Sequence, residues 1–182
     1  ERMLLLHTLP FRHEKLTVRV RYSRGADFSG ACYYRDHRIF INLGRHNRYP
    51  YRLGTNIARA RSNRTHWWRE SYALVLDDAY QLVLFVYLHE LFHFLVNAAG
   101  RNMRRKEAMC DRFAARVLSD DYGCPVVDRA GRAVERAAWD FQDLERFVAA
   151  APREVALSNR DSPLALPRRE IPVIIRGVSA MK

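Results

Sequence analysis

The sequence predicts an α+β fold, with a small N-terminal sheet followed by helices. Alternating apolar and polar residues within the first 76 positions are typical of strands that bury one face. Two helical patterns then follow closely, at residues 79–100 and 103–118. The chain has 182 residues and a hydrophobic content of 48%, so it can bury a core without disulfide bonds.

Three segments of the N-terminal part carry strand patterns. Residues 16–22 alternate apolar side chains with arginine, which is the two-residue period of a half-buried strand. Residues 31–43 predict a hairpin that turns at residues 35–37. Residues 71–76 predict a further strand, so the sheet precedes the helices in the chain.

A strongly basic segment lies before the last of these strands. Residues 37–69 contain eight arginines and no carboxylate, in a chain of formal net charge +11. Turn-forming residues are frequent there, so we predict a long basic loop over residues 44–69, with a short helix at residues 55–60.

This basic loop is a candidate nucleic-acid surface. Arginine binds phosphate well, and aromatic rings stack on unpaired bases, so we expect binding of single-stranded DNA. The candidate phosphate contacts are Arg45, Arg48, Arg52, Arg59, Arg61 and Arg64. The candidate stacking residues are Tyr49, Tyr51, Trp67 and Trp68. The alternative is a solvated loop whose arginines stay in water.

The two helices are predicted to form an antiparallel hairpin. Asp77 or Asp78 can cap the first helix, and Gly100 stands where a C-terminal glycine belongs. Asn102 can cap the second helix, so only residues 100–102 separate the two.

The first helix is apolar enough to raise the question of a membrane span. Residues 79–100 are long enough to cross a bilayer. They include the polar residues Gln81, His89, Glu90, His93 and Asn97. Such residues are rare and costly at the middle of a bilayer, so we expect a buried helix in a soluble protein without a membrane partner.

A His-Glu-x-x-His motif stands on this helix. His89 and His93 are four residues apart and therefore lie on one helix face, where both imidazoles can bind one metal ion. Glu90 points to the side, where it can act as a general base. Burying these three groups without a partner is costly, so the motif predicts a metal site. The alternative is two core histidines held by hydrogen bonds.

Glu107 is the favoured third metal ligand, because a catalytic zinc takes three protein ligands and keeps a fourth position open. At 1.5 Å per residue, His93 lies about 9 Å below the turn and Glu107 about 7.5 Å, so they meet at one level. Asp111, one turn further, should accept the second N–H of His89. The competing third ligands are Cys110, His66, His37 and Cys124. The alternative is that Glu107 is a solvated carboxylate on the helix surface and binds no metal.

Residues 88–118 resemble a known family. The His-Glu-x-x-His motif, followed by Glu-x-x-x-Asp on the next helix, is similar to the gluzincin zinc metallopeptidases. Residues 107–115 resemble most closely the ImmA/IrrE-type peptidases, with SprT-like proteases and compact gluzincins as alternative relatives. The resemblance implies a zincin-like fold and a Zn²⁺ cofactor. It implies that His89, His93 and Glu107 are ligands, that Glu90 is the general base and that Asp111 orients a ligand.

The same resemblance assigns roles to the hairpin and to the chain as a whole. Zincins place a substrate-binding edge strand above the metal, and the residues that fit it are Ile39, Phe40, Ile41 and Asn42. The implied activity is hydrolysis of a protein or peptide substrate by a regulatory endopeptidase that acts on a DNA-associated protein. The alternative is a nucleic-acid-binding protein with a structural or vestigial metal site.

Two regions are predicted along the chain. Residues 1–121 form the metallopeptidase domain, and residues 122–182 a C-terminal extension that can pack on it. The extension is predicted to contain a hairpin at residues 126–134, a helix at 139–150 and a strand at 173–178. The three cysteines are an odd number without close pairing, which favours a reducing compartment and a cytoplasmic protein.

Overall fold

A computed structural model describes residues 16–104 and 106–149 and the backbone of residues 173–176. In chain order the strands are β1 (Thr17–Ser23), β2 (Phe28–Tyr33), β3 (Arg38–Gly44), β4 (Tyr51–Thr55), β5 (Ala60–Ser62), β6 (Trp67–Arg69), β7 (Tyr72–Leu76), β8 (Val126–Val127) and β9 (Val173–Arg176). The helices are α1 (Ala79–Ala98), α2 (Glu107–Tyr122) and the short α3 (Leu144–Ala149). The predicted α+β class, with an N-terminal sheet followed by helices, is confirmed.

The described strands form three sheets. The first has the order β1-β3-β2-β9, in which β1 and β3 are parallel and the other pairs are antiparallel. The second has the order β4-β7-β8 and is antiparallel. The third is a two-stranded ribbon of β5 and β6.

Helix α1 lies at the centre of the core and packs against β2, β3, β7 and α2. Its N-terminus is capped as predicted, because the Asp78 side chain accepts a hydrogen bond from the backbone of Gln81. By length and composition α1 could cross a membrane, but 83% of its apolar window is buried inside the protein. That burial is the behaviour of a core helix in a soluble protein.

The predicted loop over residues 44–69 is wrong, because this segment contains β4, β5 and β6. In β4, Tyr51, Leu53 and Thr55 are buried while Arg52 and Gly54 are exposed. That alternation is a strand period, which the turn formers around it concealed. The short helix predicted over residues 55–60 is also wrong, since this stretch runs from the end of β4 to the start of β5.

The predicted edge strand is wrong as well. Strand β3 lies between β1 and β2 and is paired on both sides, so Ile39, Phe40, Ile41 and Asn42 cannot offer a free backbone to a substrate. Ile39 and Ile41 are fully buried. The Asn42 side chain is held between Arg21 and Ser29. The parallel partner β1 comes from a distant segment, and local alternation carries no information about such pairing.

The residues after α2 contact the rest of the protein. Strand β8 pairs with β7, and Val127 forms a bridge with Ala133, which gives the small hairpin predicted at residues 126–134. The predicted helix at residues 139–150 begins later, at Leu144. The predicted strand at residues 173–178 is β9, and its antiparallel partner is β2.

Candidate metal centre

The two histidines of the motif meet inside the core. His89 and His93 lie one turn apart on α1, and both side chains are buried. Their Nε2 atoms are 3.1 Å apart. Helix α1 is buried on nearly all sides, so these imidazoles are held in place by the surrounding packing.

Glu107 closes a triangle with the two histidines. Its Oε2 atom is 3.2 Å from His89 Nε2, and its Oε1 atom is 3.2 Å from His93 Nε2. Helix α2 begins at Glu107, so the predicted helical start near residue 103 is wrong. Glu107 nevertheless lies beside His93, as the predicted helical hairpin required. The Glu107 side chain is 47% exposed, so the triangle is reached from solvent on this side.

The separations between these groups are close to those between ligands of a zinc ion. Ligand atoms at about 2.0–2.1 Å from a tetrahedral zinc ion are about 3.3 Å apart. The two Nε2 atoms are 3.1 Å apart, and each lies 3.2 Å from a different oxygen of the Glu107 carboxylate, so both oxygens face the space between the imidazoles. Two neutral imidazoles and one carboxylate are also a donor set that zinc prefers, so these residues fit the ion.

Electrostatics at the triangle favours a bound cation. Hydrogen bonds to His89 and His93 hold the pKa of Glu107 well below its ordinary value. Burial lowers the pKa of His93, which keeps this imidazole neutral. Burial also opposes the charged form of His89, but hydrogen bonds to Asp111 and Glu107 outweigh it and raise the pKa of His89 to about 9. Metal binding would displace that proton, because a ligating nitrogen must be unprotonated.

Asp111 contacts His89 from the next helix. Its Oδ1 atom lies 2.8 Å from His89 Nδ1, and its Oδ2 atom accepts a hydrogen bond of 2.7 Å from the backbone N–H of Asn56. The hydrogen on Nδ1 is fixed by this carboxylate, and Nε2 therefore faces the triangle. Asn56 follows β4, in the segment that was predicted as a loop, and sequence reasoning missed its role.

Glu90 is completely buried beside the triangle. Neither of its carboxylate oxygens has a hydrogen-bond partner within the described residues. Burial is the main cause that raises the pKa of Glu90 to about 8, and the charge of Glu107 adds to it. Next to it lies Gly30 of β2, where a Cβ atom would stand 2.4 Å from Glu90 Oε1. Sequence reasoning missed Gly30, although a glycine inside a strand pattern often marks such a close approach.

Cys110 is the second possible third ligand. Its Sγ atom and one ring nitrogen from each histidine all lie within 4.8 Å of one another, and all three residues are buried. The other competing residues lie elsewhere. His66 is exposed beside Thr65, His37 packs on Phe94, and Cys124 donates to Gln81. Glu107 is the better candidate, because each of its oxygens lies 3.2 Å from an imidazole and burial raises the pKa of the Cys110 thiol, which disfavours the thiolate that binds a metal.

Of the residues predicted to bind nucleic acid, some contact other parts of the protein and others are exposed. Arg45 stacks on Tyr22, Arg52 donates to the Asp128 carbonyl, Arg59 stacks on Phe141 and Arg61 pairs with Glu70. Arg48 and Arg64 are exposed. Tyr51 is buried and donates to Asp27, so its predicted stacking role is wrong, and the Tyr49 hydroxyl is buried too. The exposed aromatic residues of this segment are Trp67 and Trp68.

The chain matches no protein-family model, no curated protein and no solved structure. The geometry of His89, His93, Glu107 and Glu90 therefore carries the functional argument.

Proposed function

We propose that the protein is a zinc-dependent endopeptidase with a zincin-like, gluzincin-type centre, related most closely to the ImmA/IrrE peptidases. The observation that carries the proposal is the triangle of His89, His93 and Glu107, with separations of 3.1–3.2 Å and the buried Glu90 beside it. Two imidazoles, a carboxylate ligand and a separate free carboxylate are the parts that metal-assisted peptide hydrolysis requires.

Each of these residues has a distinct task in the reaction. When bound, the zinc ion polarises the scissile carbonyl and lowers the pKa of water. Glu90 takes a proton from the attacking water and passes it to the leaving amine, for which its two unpartnered oxygens are free. Asp111 keeps His89 in the required tautomer. The exposed side of Glu107 is the direction from which a peptide reaches the centre.

The setting supports a regulatory enzyme of the cytoplasm. Cys32, Cys110 and Cys124 are buried and none of them forms a disulfide bond, which is typical of a reducing compartment. The formal charge of +11 favours acidic partners and nucleic acid. We propose a DNA-associated protein as the substrate, as the resemblance to the ImmA/IrrE peptidases implies.

Hydrolysis of quenched-fluorescent peptides tests the proposal, with protein loaded with one equivalent of zinc. Glu90→Gln should retain zinc and lose activity by about 10²- to 10⁴-fold, because it removes the general base. Glu135→Gln is the matched control, since Glu135 lies outside the centre. If zinc-loaded protein cleaves nothing, or if Glu90→Gln cleaves as fast as wild type, the peptidase proposal is wrong.

A second candidate function is binding of single-stranded nucleic acid by the β5–β6 ribbon. Trp67 is 73% exposed and Trp68 is 44% exposed. They lie on neighbouring positions of β6, so their rings point to opposite faces of the ribbon. Large aromatic residues exposed in this way are typical of recognition surfaces.

The charge around these rings suits phosphate. Arg61 lies directly across from Trp68, and Arg64 stands at the exposed turn between the strands. Glu70 lies 3.4 Å from Arg61 and offsets part of the charge. Stacking on tryptophan combined with arginine contacts is the usual means of binding unpaired strands without sequence preference.

Titration of a labelled oligonucleotide tests the second candidate. Trp67→Ala should weaken binding of a single strand by roughly 5- to 150-fold, because each stacked base contributes about 1–3 kcal/mol. Removing Arg61 and Arg64 together should also reduce the salt dependence. Arg132→Ala, an exposed arginine paired with Asp128, is the control. Absence of binding at low salt would exclude this function.

A further inference from the structure

The Tyr34 hydroxyl is a buried polar group that the proposed reaction has not yet used. Tyr34 lies in the turn between β2 and β3, and its side chain packs against the core. Its hydroxyl oxygen is buried and has no hydrogen-bond partner within the described residues. A buried hydroxyl without a hydrogen-bond partner lowers the stability of the fold, so a role in stability does not account for Tyr34 at this position.

The turn that carries Tyr34 lies along the face of α1 that bears Glu90 and Phe94, next to the candidate metal ligands. Gly30 and Cys32 face inwards from β2, and Gly30 rests directly against Glu90. At the other end of the turn, the His37 ring packs on Phe94 with 5.5 Å between the ring centroids. Phe94 is the neighbour of His93 on α1. The turn is therefore anchored on α1 at two places, at Glu90 through Gly30 and at Phe94 through His37. Tyr34 lies between these two anchors in the sequence.

The charges near the hydroxyl identify the same place. Burial is the largest cause that raises the pKa of Tyr34 far above its ordinary value, and the nearby Cys32, Glu90, Cys110 and Glu107 add to it. Three of these four residues are Glu90, Glu107 and their neighbour Cys110. The hydroxyl thus keeps its proton at any physiological pH and can act only as a hydrogen-bond donor towards an anion.

We propose that the Tyr34 hydroxyl stabilises the oxyanion of peptide hydrolysis, an inference that rests on the proposed peptidase function. The water oxygen bonds to the carbonyl carbon, and the carbonyl π electrons move to the carbonyl oxygen, which accepts a hydrogen bond from Tyr34. Glu90 holds the water proton and gives it to the amine nitrogen as the C–N bond breaks and the C=O bond forms again. Tyr34 itself neither gains nor loses a proton.

This role explains why the hydroxyl has no partner in the free protein. A donor that is unsatisfied in the ground state and satisfied in the transition state lowers the barrier without tightening substrate binding. Removing it should lower kcat and leave KM nearly unchanged. A hydroxyl that merely supports the fold would show the opposite pattern, with a loss of stability and unchanged chemistry.

The test compares Tyr34→Phe with Tyr80→Phe in the full chain. Tyr80 is the control because its hydroxyl is also buried but lies beside Tyr122, at the start of α1. Tyr34→Phe should bind one zinc, unfold at no lower temperature than wild type and lose about 10²- to 10³-fold in kcat. Tyr80→Phe should retain wild-type kcat.

A second measurement does not depend on turnover. A phosphonamidate peptide carries a charged tetrahedral phosphorus in place of the scissile carbon, and it should bind Tyr34→Phe about 10²- to 10³-fold more weakly than wild type. The ordinary peptide of the same sequence should bind the single variant Glu90→Gln and the double variant Glu90→Gln/Tyr34→Phe with equal affinity.

The outcomes separate this inference from the proposed function. If wild type hydrolyses peptides through Glu90 but Tyr34→Phe matches it in kcat and in phosphonamidate affinity, the peptidase proposal stands and the role of Tyr34 is wrong. A lower unfolding temperature with unchanged kcat would likewise assign Tyr34 to the fold. If wild type neither hydrolyses peptides nor binds the phosphonamidate, both proposals fail.

Discussion

Asp111 connects two segments that are far apart in the sequence. One oxygen faces His89 and the other accepts the backbone N–H of Asn56, so the carboxylate links α1 and α2 to the end of β4. We expect Asp111→Ala to fold but to bind zinc roughly ten- to a hundredfold more weakly, because His89 loses its orienting partner.

Competition with a chromophoric chelator measures this affinity. Asp120→Ala is the control on the same helix, since Asp120 pairs with Arg136 at the surface. An affinity of Asp111→Ala equal to that of wild type would show that the carboxylate does not support the metal ligand.

Gly30 determines where Glu90 can lie. A Cβ atom at this position would be 2.4 Å from Glu90 Oε1 and 2.8 Å from Val86 Cγ1, so the Glu90 side chain must move. We expect Gly30→Ala to retain zinc and to lose at least about tenfold in peptide hydrolysis, because small displacements of a catalytic group are costly. Gly54→Ala is the control, since no atom lies within 4 Å of its Cβ position. Equal activity of the two variants would contradict this account of Glu90.

Sequence reasoning predicted the helical half of the candidate site and missed the other half. His89, His93, Glu107 and Asp111 stand at four-residue spacings on two consecutive helices, where periodicity alone indicates a shared face. Gly30, Tyr34 and Asn56 come from the strands or their ends. Their positions depend on tertiary packing between distant segments, which local patterns do not record.

At the scale of elements, helix α2 is joined to the following segment by Arg116. Its guanidinium lies 2.6 Å from Asp140 and 2.8 Å from Glu145, and it also donates to the Gln142 carbonyl. Arg116 and Asp140 are only 17% and 10% exposed. We expect Arg116→Ala to lower the free energy of unfolding by about 2 kcal/mol, because the largely buried Asp140 loses this partner and keeps only the more exposed Arg136.

Urea denaturation measures this difference. Arg132→Ala provides the matched control, because the Arg132 side chain is largely exposed and its pair with Asp128 is worth at most about 1 kcal/mol. Similar stabilities for both variants would mean that the segment after α2 does not depend on this contact.

Two strands were predicted wrongly from the sequence, each for its own reason. Strand β4 places arginine and glycine on its outer face, so its composition is that of a loop while its inner face is apolar. Strand β3 was expected at an edge because the resemblance to zincins implied a substrate-binding edge strand there, yet β1 pairs with it in parallel on one side and β2 on the other. Helix α1 was predicted well, since its apolar length and its cap are local features.

At the scale of the whole molecule, arginine serves two purposes that composition cannot separate. Arg112 is buried and donates to the Ile57 carbonyl, and Arg116 binds carboxylates inside the protein. Arg64 is exposed on the ribbon beside the two tryptophans. The excess of basic charge therefore predicts an anionic partner, and the exposed arginine on the ribbon marks where we propose that it binds.

The central claim is that one zinc ion is bound by His89, His93 and Glu107. Elemental analysis after equilibration with zinc and gel filtration tests it, in wild type and in the variants His93→Ala, Glu107→Ala and Cys110→Ser. We predict one zinc per chain for wild type and Cys110→Ser, and a loss of stoichiometric zinc in the other two. The claim is contradicted if wild type holds no zinc, or if Glu107→Ala keeps the metal while Cys110→Ser loses it.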